Sequence, residues 1–178
     1  GHVAAHFACA QPGRVSALVL VGSLGLLPLA EGVGDLISGS IQQTDRESIE
    51  RKFEFVFANP GDVAPGTIEE EFRINNSRGA VESFARLGAY FSEGINDHVV
   101  GEKLAALTDR IPTLLLWGTG DKVVAPEVGR AAKEILPGVD LIEISGTGHA
   151  PYLEKPDEFN GHVLQFLKSQ RSSVDVSG

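Results

Sequence analysis

The 178-residue chain contains no methionine, one cysteine and one tryptophan. A single cysteine excludes an internal disulfide and any metal site built from several cysteines. Cys9 stands among apolar neighbours, so we expect a small buried residue and not a reactive thiol. This cysteine usage fits a cytoplasmic location. A complete reading frame normally begins with methionine, so the start at Gly1 leads us to expect a fragment or a processed product.

The chain also lacks a long hydrophobic run and a basic stripe. Its longest apolar stretch, residues 17–30, is interrupted by Gly22, Gly25 and Pro28, which makes it unsuitable for crossing a bilayer. The net charge is −9, and residues 31–108 carry 14 acidic against 7 basic side chains. An acidic surface repels phosphate backbones and anionic lipids. We therefore expect neither nucleic acid nor a membrane as a partner.

Apolar runs of strand length alternate with helical patterns at both ends of the chain. Residues 17–21, 113–117 and 139–144 are nearly continuous apolar runs, as in parallel strands covered on both faces. Residues 2–11 read as a helix with Val3, Phe7 and Ala8 turned inward, and two later helices open near Pro126 and Pro156. The order predicts an α/β fold with three parallel strands, flanking helices and a long insertion.

The insertion, residues 30–108, has a helical pattern throughout. We predict that it forms a cap on a core made of residues 1–29 and 109–178. Thr44 and Thr67 each stand three residues before a Glu, the spacing of a capping box. Three apolar stripes predict helix–helix packing, with some members open to a pocket above the strand ends. The stripes are Ile49, Phe53, Val56 and Phe57; Val81, Phe84 and Leu87; and Val100, Leu104 and Leu107.

An acid and an imidazole follow the last two predicted strands. Asp121 ends the Gly-Thr-Gly-Asp turn after residues 113–117, and His149 ends the turn after residues 139–144. Sites in open α/β sheets form just beyond the carboxyl ends of the strands, and neighbouring strands lie about 4.8 Å apart. We expect the Asp121 carboxylate to reach an imidazole nitrogen of His149. Such a pair is two thirds of a nucleophile–His–acid triad.

Three motifs make the chain resemble the C-terminal part of a cap-bearing α/β-hydrolase. They are residues 114–126 (LLLWGTGDKVVAP), residues 148–160 (GHAPYLEKPDEFN) and residues 11–21 (QPGRVSALVLV). The resemblance implies that Asp121 is the acid and His149 the base. It also implies that Gly1 belongs to the closing glycines of a nucleophile elbow, so that the nucleophile lies upstream. It leaves the nucleophile open among Ser, Asp and Cys.

Other candidates within the chain do not replace the missing nucleophile. Ser23 follows a strand end, but a loop-capping role suits it better. His2 and His6 have the i, i+4 spacing that metals use, without a third ligand nearby. His98 and His162 have no partner close in sequence and are read as surface residues. We expect no cofactor and no metal, and we expect the 178 residues alone to be inactive.

Leucines directly after the first predicted strand and valines directly after Asp121 indicate an apolar pocket near Asp121 and His149. We predict that Leu24, Val124 and Ala150 contact a small to medium hydrophobic ester or a related acyl or C–C substrate. An Asp nucleophile would indicate an epoxide or haloalkane hydrolase instead. The cap also resembles that of ring-cleavage-product C–C hydrolases. However, Ala150 stands where those enzymes tend to have Trp, and Glu71 falls where they use Arg unless Arg73 substitutes.

The strand predicted at residues 17–21 has one unpaired edge in this arrangement. An uncharged Leu/Val edge invites pairing with other chains. Self-association through this strand is therefore expected.

Overall fold

The computed structural model describes residues 1–64 and 66–174. They form an α/β fold with a three-stranded parallel β-sheet and flanking helices, as predicted. Short 3₁₀ turns cover Pro12–Arg14, Pro60–Asp62 and Ile95–His98, and a π-helical turn covers Tyr90–Gly94. The strands are β1 (Leu18–Val21), β2 (Thr113–Gly118) and β3 (Asp140–Ile144). The α-helices are α1 (His2–Ala10), α2 (Val33–Gln42), α3 (Arg46–Val56), α4 (Thr67–Asn75), α5 (Ala80–Ala89), α6 (Gly101–Ala105), α7 (Pro126–Ile135), α8 (Pro151–Glu154) and α9 (Pro156–Val174).

The described strands are ordered β1-β2-β3, and both pairings are parallel. Leu20 pairs with Leu115 on one side of β2, and Leu116 pairs with Ile142 on the other. Every residue of β2 is buried, as expected of a central strand covered on both faces. This places the carboxyl ends of β2 and β3 side by side. Among the described residues β1 pairs on one edge only, so self-association through it stays a prediction.

Two apolar clusters cover the sheet. The larger one joins Leu20, Leu115 and Trp117 to buried residues of α1, α6 and α7, and the smaller one packs Phe159, Val163 and Phe166 of α9 against Leu116 and Ile144. Val100 and Leu104 belong to the larger cluster, so this stripe is buried as expected. The division of the chain into a core and a cap at residues 30 and 108 stays a prediction. No described helix is long and apolar enough to cross a membrane.

The inward face predicted for α1 was correct for Ala8 but wrong for Val3 and Phe7. Val3 is 82% exposed and Phe7 is 41% exposed, whereas Ala5 and Ala8 are fully buried. The helix lies against β1 and α6. Alanine side chains permit close approach of the helix to the sheet, which the larger Val3 and Phe7 on the other face would not. Instead, Cζ of the Arg14 guanidinium lies over the Phe7 ring, 5.2 Å from the ring centroid.

Both predicted capping boxes were also wrong. Helix α3 begins one residue later than expected, because Asp45 is its N-cap and accepts a hydrogen bond from the Ser48 N–H at 2.9 Å. Hydrogen bonds from the Ser48 hydroxyl and amide lower the pKa of Asp45. Thr67 is already the first residue of α4, where its hydroxyl donates to the carbonyl of Ala64 and caps nothing.

The second predicted stripe of the cap is largely exposed. Val81 is 63% exposed and Leu87 is 42% exposed. Helix α5 packs on α2 through another face, where Gly88 is buried. A Cβ on Gly88 would lie 2.7 Å from the Ser38 hydroxyl oxygen, so the two helices meet at a glycine. Hydrophobic spacing alone did not reveal that a small residue sets this contact.

Candidate active site

The carboxyl ends of β2 and β3 bring Asp121 and His149 together. Nδ1 of His149 lies 2.8 Å from Oδ2 of Asp121, which confirms the predicted proximity of the two groups. The Asp121 side chain is fully buried, and that of His149 is 30% exposed. A buried carboxylate facing a partly open imidazole can hold the proton on Nδ1 and keep Nε2 as an acceptor.

The loop after β2 fixes the Asp121 carboxylate. Its Oδ1 accepts hydrogen bonds from the N–H groups of Val123 and Val124, at 2.9 and 2.8 Å. The indole N–H of Trp117, in the buried strand, donates to the Val124 carbonyl at 2.9 Å and holds the loop in place. Oδ1 is therefore committed to the backbone, and only Oδ2 faces His149. The acid is oriented by the fold.

Backbone contacts tie the loop after β2 to the loop after β3. The Thr119 N–H donates to the Ile144 carbonyl at 3.1 Å, and the Gly120 N–H donates to the Thr147 carbonyl at 2.9 Å. Gly118 lies so close to Thr147 and Gly148 that an added Cβ would overlap their carbonyl oxygens. The two loops are thus packed and hydrogen-bonded to each other above the strand ends. One carries Asp121 and the other carries His149.

Gly22, directly after β1, closes the third side of the dyad. Its φ of +47° lies in the left-handed region, which disfavours residues with a Cβ. A Cβ there would stand 2.8 Å from Nδ1 of His149 and 3.0 Å from Oδ2 of Asp121. The backbone just after β1 thus comes so close to the hydrogen bond between Asp121 and His149 that it leaves no room for a Cβ. Sequence reasoning did not single out this glycine.

Gly22→Ala is expected to lower the hydrolase activity proposed below about 100-fold, because a displacement of the dyad near 1 Å has an effect of that order. Gly32→Ala is the matched control, since Gly32 also has a left-handed φ (+78°) but open space around an added Cβ. Both variants should lose about 1–2 kcal/mol of unfolding free energy from backbone strain. Chemical denaturation and ester kinetics on the full-length protein separate the effects. Equal activities of the two variants would contradict this role of Gly22.

Two of the three predicted substrate-contact residues are buried, and the third is partly buried. Val124 and Ala150 are each 2% exposed, and Leu24 is partly buried against the larger core cluster, to which Val124 also belongs. Val124 contributes to the site through its backbone, as described above. A role of these three side chains in contacting substrate stays a prediction.

The other nucleophilic side chains considered are engaged elsewhere. The buried Ser23 hydroxyl donates to the Leu24 carbonyl at 3.1 Å. Burial raises the pKa of the Cys9 thiol, which disfavours the reactive thiolate. Among the side chains that the structure describes, none makes a hydrogen bond to Nε2 of His149. The described residues thus pair a carboxylate with an imidazole whose Nε2 has no hydrogen-bond partner among them.

His2 and His6 belong to a polar aromatic cluster between α1 and residues 90–98. Nε2 of His2 lies 2.7 Å from the Tyr90 hydroxyl, and the His98 ring stacks on Tyr90 with centroids 5.5 Å apart. Desolvation, aided by His6, His98 and the Gly1 amine, lowers the pKa of His2. Within the described residues no group of three or more His, Cys, Asp or Glu side chains could hold a metal. His98 is exposed, as predicted, and His162 is partly buried on α9.

Comparison with known proteins places this geometry in a family. The model of the alpha/beta hydrolase family matches residues 1–162. The chain belongs to the alpha/beta hydrolase family. This confirms the resemblance stated from the sequence motifs and the α/β-hydrolase fold.

Curated relatives of this alpha/beta hydrolase have different activities in their names. Lipase 1 of Psychrobacter immobilis is 27% identical, over 96% of this chain and 55% of the lipase. A 2-hydroxy-6-oxononadienedioate/2-hydroxy-6-oxononatrienedioate hydrolase of Cupriavidus pinatubonensis is 28% identical, over 94% and 58%. The dihydrolipoyllysine-residue acetyltransferase component of the acetoin cleaving system of Cupriavidus necator is 27% identical, over 94% and 43%. The chain spans about half the length of the curated relatives it matches.

Solved structures agree on the fold. The meta-cleavage product hydrolase from Pseudomonas fluorescens IP01 superposes with a TM-score of 0.79 at 20% identity, over 94% of this chain and 61% of that one. A putative lipase from Acinetobacter baumannii superposes with a TM-score of 0.73 at 19% identity, over 96% and 58%. At these identities the likeness shows the fold alone and supports no particular substrate.

Proposed function

We propose that these residues contribute the acid, the base and the helical cap of a hydrolase that acts on small to medium hydrophobic esters. The 2.8 Å contact between Asp121 and His149 carries the proposal. The carboxylate keeps the proton on Nδ1, so Nε2 can accept a proton from the nucleophile as it attacks the acyl carbon. The imidazolium then returns this proton to the leaving alcohol. Water, activated by the same nitrogen, releases the acid product.

We further propose that the nucleophile comes from a part of the protein outside these 178 residues. The absence of a described side chain on Nε2 of His149 supports this, as do the relatives of about twice the length. Loss of a triad nucleophile costs roughly 10⁴–10⁶ in rate. The 178 residues alone should therefore show no measurable ester turnover. Activity of this piece that depended on His149 would contradict that proposal.

Labelling of the full-length protein tests the proposed function. A serine nucleophile is expected to react with a fluorophosphonate probe in a 1:1 ratio, with hydrolysis of p-nitrophenyl butyrate lost in parallel. Peptide mapping should place the label outside residues 1–178. A label on Ser23, or neither labelling nor turnover of esters, epoxides or haloalkanes, would reject the proposal. Turnover of an epoxide or haloalkane without fluorophosphonate labelling would favour the Asp nucleophile left open above.

A second candidate is a C–C hydrolase of ring-cleavage products. The relatives and solved structures that carry such names favour it. The cap does not, because Arg73 is 75% exposed and lies 3.9 Å from Glu70. Glu71, at the position compared with Arg in those enzymes, accepts a hydrogen bond from Asn75. Turnover of a 2-hydroxy-6-oxodienoate faster than of p-nitrophenyl butyrate would decide for this candidate.

A further inference from the structure

We propose that Glu154 is a positioning residue, whose carboxylate joins the cap to the loop of the base so that the placement of His149 depends on both. The inference rests on the proposed function, in which His149 is the base. It concerns the docking segment, residues 56–59, which begins at the last residue of α3. Glu154 ends α8, five residues after His149.

The two carboxylate oxygens of Glu154 bind opposite sides of the junction. Oε1 accepts hydrogen bonds from the N–H groups of Ala58 and Asn59, at 2.7 and 3.3 Å. Oε2 accepts from the Gly148 N–H at 2.6 Å. Three backbone donors thus converge on one side chain, two from the docking segment and one from the residue before the base. Hydrogen bonds to an ionised acceptor are about twice as strong as those between neutral groups.

The backbone of the base itself takes part in the junction. The His149 N–H donates to the Val56 carbonyl at 2.6 Å. Gly148 packs against the docking segment so closely that an added Cβ would stand 2.8 Å from the Ala58 nitrogen and would overlap the Val56 carbonyl oxygen. A shift of residues 56–59 therefore moves the peptide that carries the imidazole. The position of the His149 imidazole therefore depends on the docking segment through these main-chain contacts.

The loop of the acid touches the same end of α3. The Lys122 ammonium, next to Asp121, donates to the Glu54 carbonyl at 3.1 Å. This contact is exposed and contributes little, whereas the Glu154 contacts are partly buried. At this end of α3 the contacts of Glu154 are thus the main side-chain link between the docking segment and the loop of His149.

Only a carboxylate of this length satisfies both sides. A glutamine has the same shape, but it would turn an NH₂ group toward an N–H donor on one side. Glu154→Gln therefore removes one side of the bridge with little change in volume. Glu158→Gln is the matched control, since Glu158 lies on α9, pairs with Lys155 at 3.7 Å and has no contact with the docking segment among the described residues.

Amide hydrogen exchange and kinetics on the full-length protein test the inference together. In Glu154→Gln, the amide that loses its acceptor (Ala58 or Gly148) and the amide of His149 should exchange about tenfold faster, as expected for the loss of one hydrogen bond. With an ester substrate, kcat should fall about tenfold or more while KM stays within about threefold, because the reacting geometry is affected more than binding. Glu158→Gln should change neither measurement.

Two results would overturn the inference: unchanged exchange of the His149 amide in Glu154→Gln, or faster exchange with unaltered kcat. If Glu154→Gln does not fold, Ala58→Pro takes its place, since it deletes the shorter of the two N–H donations to Oε1. Failure of the proposed function looks different. The wild-type protein would then hydrolyse no substrate, while the exchange of the His149 amide would still report whether Glu154 positions it.

Discussion

Replacement of His149 by alanine is expected to reduce kcat for ester hydrolysis in the full-length protein by roughly 10⁴–10⁶. The imidazole is the only described group that faces Asp121 with a titratable nitrogen, at 2.8 Å. Without it nothing accepts the proton of the nucleophile or returns it to the leaving group. Because the side chain is 30% exposed, its truncation should leave the fold intact. Steady-state kinetics with p-nitrophenyl butyrate give the comparison.

The matched control for that variant is His162→Ala on α9. His162 is partly buried on the helix that covers the other face of the sheet, and no contact with the dyad is described. Its activity should stay within about twofold of the wild type, as for most substitutions away from a site. Full activity of His149→Ala would reject both the proposed base and the hydrolase mechanism built on it.

Asp121→Asn is expected to lower kcat by about 10⁴ through the tautomer of His149. Oδ1 must keep accepting from the N–H groups of Val123 and Val124, so the new NH₂ group takes the place of Oδ2. It would donate to Nδ1, which forces the ring proton onto Nε2. A protonated Nε2 cannot accept a proton from the nucleophile. The hydrogen-bonded arrangement of the two residues is retained, but Nε2 no longer accepts the proton of the nucleophile.

Asp140→Asn is the control. The substitution makes the same change of charge, and Asp140 is exposed at the first position of β3. Measurements of kcat and of unfolding free energy on both variants separate catalysis from stability. A loss of less than about tenfold in Asp121→Asn, with the fold intact, would show that the carboxylate does not set the tautomer.

The order of apolar and polar residues within short segments predicted the sheet and the contact between Asp121 and His149. Both depend on features that a few neighbouring residues specify. Continuous apolar runs at β2 and β3 require burial on both faces, and parallel strands bring their carboxyl ends to one edge. Asp121 and His149, each placed directly after such a run, then had to meet there. The same reasoning was wrong for helix faces: Val3, Phe7 and Val81 are exposed although their spacing was that of a core stripe. Helical spacing shows that a face exists, but the partner decides which face is covered.

The site contained features that no local pattern could reveal. Glu154 was part of a recognised motif, and its position five residues after His149 was the available signal. However, two of its three hydrogen-bond partners lie nearly a hundred residues away, just after α3. Gly22 was one glycine among 21 until the strands placed it beside the dyad. Contacts between distant segments depend on how the loops pack, and the sequence of each loop alone does not specify that.

The amino-acid order by itself determined the α/β class, the family and the meeting of one acid with one imidazole, because strand burial and turn chemistry act over a few residues. Only the tertiary structure decided how that pair is held. It bound one oxygen of Asp121 to backbone amides, placed Gly22 beside the hydrogen bond of the pair, and linked the segment after α3 to the loop of His149 through Glu154. The physical reason is that these contacts are made by main-chain groups, which every residue carries and which only the fold brings together.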